Sequence, residues 1–223
     1  MLTFAHAQEG LQHEHALFAT SGPQVAHWQC EKRAIVCPRA YSAKSAFETA
    51  ARASADRGWP VVLRPTGGGA VPQGPGVTNL ALAFNAPEGL TIEGTYRMLT
   101  GIIRDALGAL GEELRTGETP GSFCDGAWNL SVGDQKLVGT AQRWRPARGG
   151  CPRVLAHALI LVDDRFQKGT SAIAKLHEHL LLSPVRAAAQ TNLKAAFGLE
   201  EVPAAALHAC ATQALHDLMR KQK

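Results

Sequence analysis

The chain lacks the features that would direct it to a membrane or to nucleic acid. No run of about 18 apolar residues, the length of a membrane-spanning helix, occurs in its 223 residues. The opening MLTFAHAQEG has neither the charged start nor the apolar core of a signal peptide. Lysine and arginine do not cluster among aromatic residues, although the net charge is +4. We therefore expect a cytoplasmic protein that binds neither membrane nor nucleic acid.

Cysteine is scarce, and the pattern of cysteine and histidine argues against disulfides and metal sites. The five cysteines form an odd set in a chain without a secretion signal, which indicates reduced thiols. Cys30 and Cys37 have no partner cluster at zinc spacing. The sequence His-Glu-His occurs at 13–15 and 177–179. Histidines two apart on a helix project about 200° apart, so we expect helix-surface histidines and no metal site.

Apolar residues suffice for a sizeable core, and their pattern predicts the fold class. Hydrophobic residues make up 45% of the chain and charged residues 19%. Strand patterns alternate with helix patterns, but some strands pair as hairpins, which favours an α+β fold with a mixed β-sheet flanked by helices. The predicted helices are 9–20, 42–58, 91–111 and two C-terminal segments; the predicted strands are 33–38, 60–64, 78–84, a hairpin at 127–144, and a central strand at 154–162. The segment RPARGG at 145–150 is predicted to be an exposed loop.

A glycine-rich segment, VLRPTGGGAVPQGPG, begins in a predicted strand. A glycine run can aim successive N–H groups at an anion or a carbonyl oxygen, and a tight turn between strands is the alternative. No Gly-Lys-Ser/Thr follows, and prolines replace the helix of a dinucleotide-binding motif, so neither nucleotide motif is present. Arg64, just before the run, could hold a carboxylate or phosphate; an ordinary surface arginine is the alternative.

A second segment of interest is DQKLVGTAQR at 134–143. Lys136 begins a predicted strand that continues with the small residues Gly139, Thr140 and Ala141. Small residues leave room for a ligand, and the lysine could stabilise negative charge developing on a carbonyl or phosphate. A solvated lysine at the edge of a hairpin is the alternative.

Taken together, these segments resemble the lipoate-protein ligase and octanoyltransferase family. The order is Arg-x-Thr-Gly-Gly-Gly-Ala-Val, then Lys-Leu-Val-Gly-Thr-Ala-Gln-Arg, then HALILVDD, with a looser match at SPVRAAAQTNL. The resemblance covers about residue 9 to about residue 194. It implies the catalytic fold of biotin/lipoate protein ligases, which is like that of class II aminoacyl-tRNA synthetases. We expect one catalytic domain over 1–223 without a separate C-terminal accessory domain.

The resemblance also implies a site. Lys136 would be the catalytic lysine that contacts the acyl carbonyl, beside an acyl-binding tunnel lined by the glycine loop. The other implied substrate-binding residues are Arg64, Thr66, Gly67, Gly68, Gly69, Gln73, Gly139, Ala141, Gln142 and His157. Two departures from the family pattern weigh against ATP-dependent ligation. Gln73 stands where family members usually have histidine, and AWN at 127–129 replaces the ligase pattern Arg-Asn-Asp.

Cys124, in GSFCDGAWNL, is the second implied catalytic residue. One branch of octanoyltransferases has a Cys-Phe-Asp segment before its lysine strand, whose cysteine accepts the acyl group; here the order is Phe-Cys-Asp. A thiolate would need a nearby cation such as Lys136, and it would form an acyl-thioester. A small, buried, inert thiol is the alternative. Cys151, beside the RPARGG segment, is a weaker nucleophile candidate.

The resemblance implies an acyltransferase of protein lipoylation and leaves two chemistries open. Cys124 could take octanoyl from acyl carrier protein, or lipoate and Mg-ATP could form an acyl-adenylate, with no cofactor bound tightly in either case. The implied acceptor is a lysine of a lipoyl carrier domain, in a lipoyl-dependent dehydrogenase subunit or the glycine cleavage H protein. A non-catalytic acyl-binding or carrier-binding module on the same fold is the alternative.

Overall fold

The structure is a computed structural model, and it describes residues 1–147 and 150–220. The strands are β1 (Leu2–Phe4), β2 (Gln24–Cys30), β3 (Ala34–Pro38), β4 (Val61–Arg64), β5 (Val71–Gln73), β6 (Val77–Asn85), β7 (Arg115–Gly117), β8 (Asn129–Val132), β9 (Gln135–Ala147) and β10 (Gly150–Leu161). The helices are α1 (Ala7–Ala19), α2 (Phe47–Asp56), α3 (Ile92–Leu107), α4 (Gln167–His179), α5 (Leu193–Phe197) and α6 (Ala204–Arg220). No helix of the described residues combines the length and the apolar character that crossing a membrane requires.

The larger sheet has seven strands in the order β1-β2-β6-β10-β9-β8-β7. Strand β1 runs parallel to β2, and the other neighbours are antiparallel, so the predicted mixed sheet is confirmed. Strand β10 lies in the middle, as its continuous apolar run predicts, because side chains on both of its faces are buried.

A smaller sheet, in the order β4-β3-β5, carries the glycine loop 65–70 between β4 and β5. The sequence pattern does not predict this separate sheet, because β5 is three residues long and contains a proline. Strand β2 is not predicted either, because Gln24, His27 and Gln29 interrupt its apolar pattern. The sequence pattern therefore locates the glycine loop after a strand but not the sheet that supports it.

Alternating residues of β6 and β10 divide the core into two layers. Leu80, Leu82 and Val154 belong to the layer that packs under α3 and α6. Val77 and Leu159 belong to the layer between the two sheets. Since successive side chains of a strand point to opposite faces, each face of the sheet has its own core. The residues of the candidate site lie on the side of the smaller sheet.

Several predicted segments differ from the structure at their ends. Helix α2 begins at Phe47, because residues 39–43 form a 3-10 helix. Helix α3 ends at Leu107, and Gly108 follows with φ +57°. The predicted 145–150 loop is wrong at its start, since β9 continues through 145–147; residues 148–149 lie outside the described residues. The predicted hairpin is confirmed, with its turn at Gly133 and Asp134.

Helix α1 is fastened to the β9–β10 hairpin at its C-terminal end. Arg145 donates through Nη2 to the carbonyl oxygen of Phe18 over 3.1 Å. Arg153 donates through Nη2 to the carbonyl oxygen of Leu17 over 2.9 Å. Cationic donors satisfy the carbonyls left free at a helix end and complement its dipole. These bonds hold α1 across the sheet next to the candidate site.

Candidate active site

The glycine loop brings its backbone against the thiol of Cys124. Gly68 has φ +94°, a conformation that favours glycine, and a Cβ there would lie 2.8 Å from Cys124 Sγ. At Gly69 an added Cβ would lie 3.0 Å from Cys124 Cα. The absence of side chains therefore permits the contact between loop and cysteine.

Cys124 lies in an unusual backbone conformation with a polarised thiol. Its φ is +47°, and in the described part of the chain only Leu181 among other non-glycine residues has a positive φ. The N–H of Gly69 donates to Cys124 Sγ over 3.0 Å between nitrogen and sulfur. Arg64 Nη2 lies 4.0 Å from the same sulfur. An N–H donor and a guanidinium both stabilise negative charge on sulfur, which is what a thiolate nucleophile needs.

Lys136 forms hydrogen bonds to the backbone at this cysteine. Its side chain is fully buried, and Nζ donates to the carbonyl oxygens of Phe123 (2.8 Å) and Cys124 (2.7 Å). Burial lowers the pKa of Lys136 to about 8, opposed by the negative charges of Cys124 and Asp125. A Cβ at Gly139 would lie 3.1 Å from Nζ, so the glycine makes room for the ammonium group. The alternative of a solvated hairpin-edge lysine is wrong.

Asp125 fixes the segment that carries Cys124. Its Oδ1 accepts from the N–H of Thr119 (2.6 Å), the N–H of Gly126 (2.9 Å) and Asn129 Nδ2 (2.9 Å). The three bonds close the turn between β7 and β8. Asp125 is not among the predicted site residues, although the Asp-Gly turn pattern after the cysteine is a signal for its role.

Arg64 is a buried residue that holds the glycine loop, not a surface arginine. Nη1 donates to the carbonyl oxygen of Val36 over 3.0 Å. Nη2 donates to the carbonyl oxygens of Gly67 (2.9 Å) and Gly69 (2.8 Å). Backbone carbonyls of the protein therefore accept hydrogen bonds from both Nη1 and Nη2 of Arg64. The positive charge of its guanidinium lies near Cys124.

A pocket, here called the inner pocket, opens from Cys124 between the two sheets. Leu11, Trp28, Val36, Val71 and Leu159 give it apolar walls. Its other lining residues are Glu14, Arg64, Gln73, Asn79, Cys124, Gly139, Thr140, Ala141, His157 and Ala158. Five predicted substrate-binding residues therefore meet Cys124 in one pocket. Apolar walls that end at a nucleophile suit an acyl chain whose carbonyl lies at the sulfur.

Two polar contacts shape the inner pocket. Gln73 and Asn79 pair through their side-chain amides, over 2.7 Å and 3.0 Å. His157 Nδ1 lies 2.8 Å from Oε2 of the buried Glu14, and Glu14 Oε1 accepts from Trp28 Nε1 over 2.9 Å. Glu14 escapes the sequence analysis because it lies in a segment interpreted as a helix surface.

The prediction of surface histidines is wrong for His177 and right for His15 and His179. His177 is buried under the smaller sheet, while the other two are exposed. Its Nδ1 donates to the carbonyl oxygen of Ser183 over 2.8 Å, which leaves Nε2 to accept from the Tyr41 hydroxyl at 3.2 Å. No three side chains of the metal-binding types converge in residues 1–147 and 150–220.

A second pocket, here called the aromatic pocket, adjoins Cys124 on another side. Tyr96 and Trp128 stack there, with ring centroids 5.4 Å apart and planes 5° apart. Its other lining residues are Gly67, Gly68, Cys124, Asp125, Gly126, Ala127, Asn129, Thr140, Ala141 and Gln142. Gln142 is held by its own bonds, donating to the carbonyl oxygen of Ile92 and accepting from Trp144 Nε1. Cys124, Thr140 and Ala141 also line the inner pocket, so the two pockets meet at the thiol.

A third depression, here called the cationic groove, borders the inner pocket at Arg64 and His157 without reaching Cys124. It is lined by Gln8, Leu11, Gln12, Glu14, His15, Phe18, Arg39, Leu63, Arg64, Pro65, Thr66, Arg143, Leu155 and His157. Thr66, predicted to bind substrate, therefore lies apart from the thiol, and its buried hydroxyl has no hydrogen-bond partner within the described residues.

The amino-acid sequence of this chain matches that of known catalytic domains. The lipoyl protein ligase A/B catalytic domain family matches residues 6–214. An uncharacterised protein of Cupriavidus necator is 42% identical over 178 residues, which are 71% of this chain and 70% of that protein. An octanoyl-[GcvH]:protein N-octanoyltransferase of Kyrpidia tusciae is 34% identical over 142 residues, which are 61% of this chain and 49% of the enzyme. The match thus spans about half the length of that relative.

Solved structures share the fold. A lipoate-protein ligase A bound with ATP superposes with a TM-score of 0.73 at 18% identity, covering 97% of this chain and 84% of that chain. A bi-partite lipoate protein ligase of Thermoplasma acidophilum, studied with its E2 lipoyl domain, gives a TM-score of 0.65 at 16% identity, covering 99% and 82%. With most of its length matched in sequence and nearly all of it in fold, this chain belongs to the lipoyl protein ligase A/B catalytic-domain family.

Proposed function

We propose that this protein is a cysteine-dependent acyltransferase that moves an octanoyl or lipoyl group between lysines of lipoyl carrier domains. The observation that carries the proposal is the contact of Cys124 Sγ with the Gly69 N–H at 3.0 Å, at the meeting point of two pockets. A structural thiol needs neither the strained backbone at Cys124 nor the guanidinium of Arg64 4.0 Å away.

The first half-reaction loads the cysteine. The acyl chain occupies the inner pocket, and the Cys124 thiolate attacks the carbonyl carbon of the donor. A C–S bond forms and the C–N bond to the donor lysine breaks. The lysine nitrogen takes from solvent water the proton that the thiol gave up, and it leaves as a neutral amine. Lys136 has three donors, of which Phe123 and Cys124 use two. The third can stabilise the negative charge that develops on the acyl oxygen.

The second half-reaction transfers the acyl group from Cys124 to the acceptor lysine. A neutral lysine amine of the acceptor attacks the thioester, a C–N bond forms and the C–S bond breaks. The nitrogen gives up a proton to solvent water, and Cys124 leaves as a thiolate. One amide is consumed and one is formed, so the overall transfer needs no ATP.

The names of the relatives motivate the choice of donor. The enzyme of Kyrpidia tusciae is an octanoyl-[GcvH]:protein N-octanoyltransferase, and a relative in Listeria monocytogenes is a lipoyl-[GcvH]:protein N-lipoyltransferase. We therefore favour an acylated carrier of the GcvH type as donor over acyl carrier protein. We place the reaction in the cytoplasm, where Cys124 stays reduced as a free thiol.

The ATP-dependent route is less well supported by the residues present. The aromatic pocket is the space next to the carbonyl end of the acyl chain, and its lining includes Asp125 but neither lysine nor arginine. A carboxylate there repels the phosphates of a nucleotide. The non-catalytic alternative has no use for an ammonium group as fully buried as Lys136, since burying a charge is costly.

The test is the intact mass of an apo lipoyl carrier domain after incubation with the protein. Three donors are compared: an octanoylated GcvH-type carrier, octanoyl-acyl-carrier-protein, and octanoate or lipoate with Mg-ATP. We expect acylation with the first donor, lost in Cys124→Ala and kept in Cys151→Ala, which removes an exposed thiol. Acylation only with Mg-ATP, undiminished in Cys124→Ala, would overturn the proposal. Failure with all three donors would favour the binding-module alternative.

A further inference from the structure

The proposed transfer uses a lysine side chain twice, once as leaving group and once as attacking amine. Both times its nitrogen must reach the acyl carbonyl beside Cys124 Sγ. The inner pocket is then occupied by the acyl chain. Of the two other depressions described, the aromatic pocket is lined by Cys124 and the cationic groove is not. The geometry therefore leaves the aromatic pocket as the path to the thiol.

The walls of the aromatic pocket suit the chemistry of a lysine side chain. Tyr96 and Trp128 present the ring edges of a stacked aromatic pair, along which four methylene groups can pack. Gly67, Gly68 and Gly126 also line the pocket and place no side chain in it. An added Cβ would meet no atom within 4 Å at Gly67 or Gly126, so both face open space.

The charges of the two depressions differ in sign. Asp125 is the carboxylate of the aromatic pocket, and its three hydrogen bonds all go to Oδ1, which leaves Oδ2 available. The cationic groove contains Arg39, Arg64 and Arg143, while its carboxylate, Glu14, is already bonded to Trp28 and His157. An ammonium group approaching the protein is attracted to the first and repelled by the second.

Trp128 is already suited to a neighbouring cation. The guanidinium carbon of Arg97 lies 5.6 Å from its ring centroid, and Arg97 also pairs with Glu93. Arg97 does not line the aromatic pocket. The ring is therefore held between Tyr96 and Arg97, which fixes the position of the pocket wall before a substrate arrives.

From these observations we propose that the aromatic pocket is the channel for the carrier's lysyl arm, used by the donor lysine as it leaves and by the acceptor lysine as it enters. The proposal rests on the proposed function. It assigns Trp128 and Tyr96 as binding residues for the lysyl methylenes and Asp125 as the group that attracts the ammonium. The acceptor amine loses its charge to solvent water before attack.

The experiment separates the half-reactions. Cys124 is first loaded with p-nitrophenyl octanoate, a donor without a lysyl arm, and the burst of nitrophenol gives the loading rate. Transfer from the octanoyl-enzyme to an apo carrier domain is then followed by mass. We expect the ratio of transfer rate to loading rate to fall about tenfold in Trp128→Ala, with a raised KM for the carrier. Gly126→Phe, which fills the channel from an open position, should lower the ratio at least as much.

Arg143→Ala, in the cationic groove, is the matched control and should leave the ratio unchanged. Equal ratios in all variants, or a fall confined to Arg143→Ala, would overturn the channel assignment. So would binding of AMP that competes with the carrier and is lost in Trp128→Ala, because the pocket would then belong to a nucleotide. No nitrophenol burst from the unsubstituted protein, or a burst that persists in Cys124→Ala, would instead contradict the proposed function.

Discussion

Lys136 Nζ lies 2.7 Å from the carbonyl oxygen of Cys124, so the ammonium group holds the backbone of the residue that carries the proposed nucleophile. The same Nζ bonds the carbonyl oxygen of Phe123, and an ammonium bonded to two successive carbonyls fixes the turn between them. Lys136 therefore has two roles in the proposed reaction, positioning the thiol and stabilising charge on the acyl oxygen.

Replacing Lys136 with methionine should lower acyl transfer by about 100-fold or more, the loss typical of removing one oxyanion donor. Methionine keeps most of the volume but donates no hydrogen bond. The measurement is the rate of carrier acylation by mass. Lys175→Met, which changes an exposed lysine of α4, serves as the control and should act like the parent protein. Normal activity in Lys136→Met would contradict the catalytic assignment.

The low pKa of Lys136 makes the free energy of unfolding depend on pH. In the fold this pKa is about 8, against 10.5 for the unfolded chain, because burial disfavours the charged form. Between these values the unfolded chain binds more protons, so the Lys136 contribution to stability rises with pH, by about 3 kcal/mol in total. Denaturant titrations of the parent and Lys136→Met from pH 7 to 10.5 isolate this contribution. Parallel curves for the two proteins would rule it out.

Four of the five thiols should differ sharply in reactivity. Burial raises the pKa of Cys30 to about 11 and that of Cys37 to about 12, so neither forms thiolate near neutral pH. Iodoacetamide at pH 7.5 should modify Cys124 and the exposed Cys151 but neither buried thiol, as peptide mass mapping would show. Prior loading with p-nitrophenyl octanoate should protect Cys124 alone. Equal protection of Cys151 would mean that loading is not specific.

Gly68→Ala should abolish most loading of Cys124. The added Cβ would lie 2.8 Å from Sγ, and φ +94° is strained for alanine. The thiol would have to move away from the Gly69 N–H, which we expect to slow the nitrophenol burst at least tenfold. Gly101→Ala, in helix α3 with nothing near its added Cβ, should load normally and be slightly more stable. A normal burst in Gly68→Ala would show that the loop contact is dispensable.

His27 should make the fold sensitive to acid. Both of its ring nitrogens are buried without partners among the described residues, and burial with the nearby His208 lowers the pKa of His27 to about 4. The unfolded histidine, with a pKa of 6.5, binds a proton at higher pH. Stability is therefore complete above pH 6.5 and falls, by up to about 3 kcal/mol, as pH drops to 4.

Replacing His27 with leucine should flatten this dependence in thermal melts between pH 4 and 7. His208→Gln, which removes only the second cause of the shift, should flatten it partly. An unchanged pH profile in His27→Leu would show that other groups govern the acid sensitivity.

Local patterns in the sequence were sufficient for most elements and for the motifs. They were not sufficient for the strands β2 and β5 or for contacts between distant residues. The continuous apolar run of 154–162 predicts a central strand because both faces of β10 are covered. Lys136 and Gly139 are three residues apart, and their spacing signals the space that the ammonium occupies. Glu14 meets His157 across 143 positions, and Tyr41 meets His177 across 136, so no local pattern predicts either pair.

The stacked pair in the aromatic pocket illustrates the same limit. Tyr96 follows the helical pattern of α3, which gives it the role of a core residue, and Trp128 lies in an irregular segment before β8. Only the packing of α3 beside the hairpin brings their rings together. Their contact therefore depends on the tertiary fold and has no local signal in the sequence.

Removing helix α1 would change what a shortened version of the protein does to an acyl group. The helix supplies Leu11 and Glu14 to the inner pocket, and Arg145 and Arg153 fasten its last carbonyls. A truncated chain beginning at Gln24 would keep the glycine loop, the thiol and the buried lysine. It would nevertheless lose one side of the acyl compartment, release the His157 imidazole, and admit water to the thioester. Such a fragment should hydrolyse acyl groups that the intact protein delivers to a carrier.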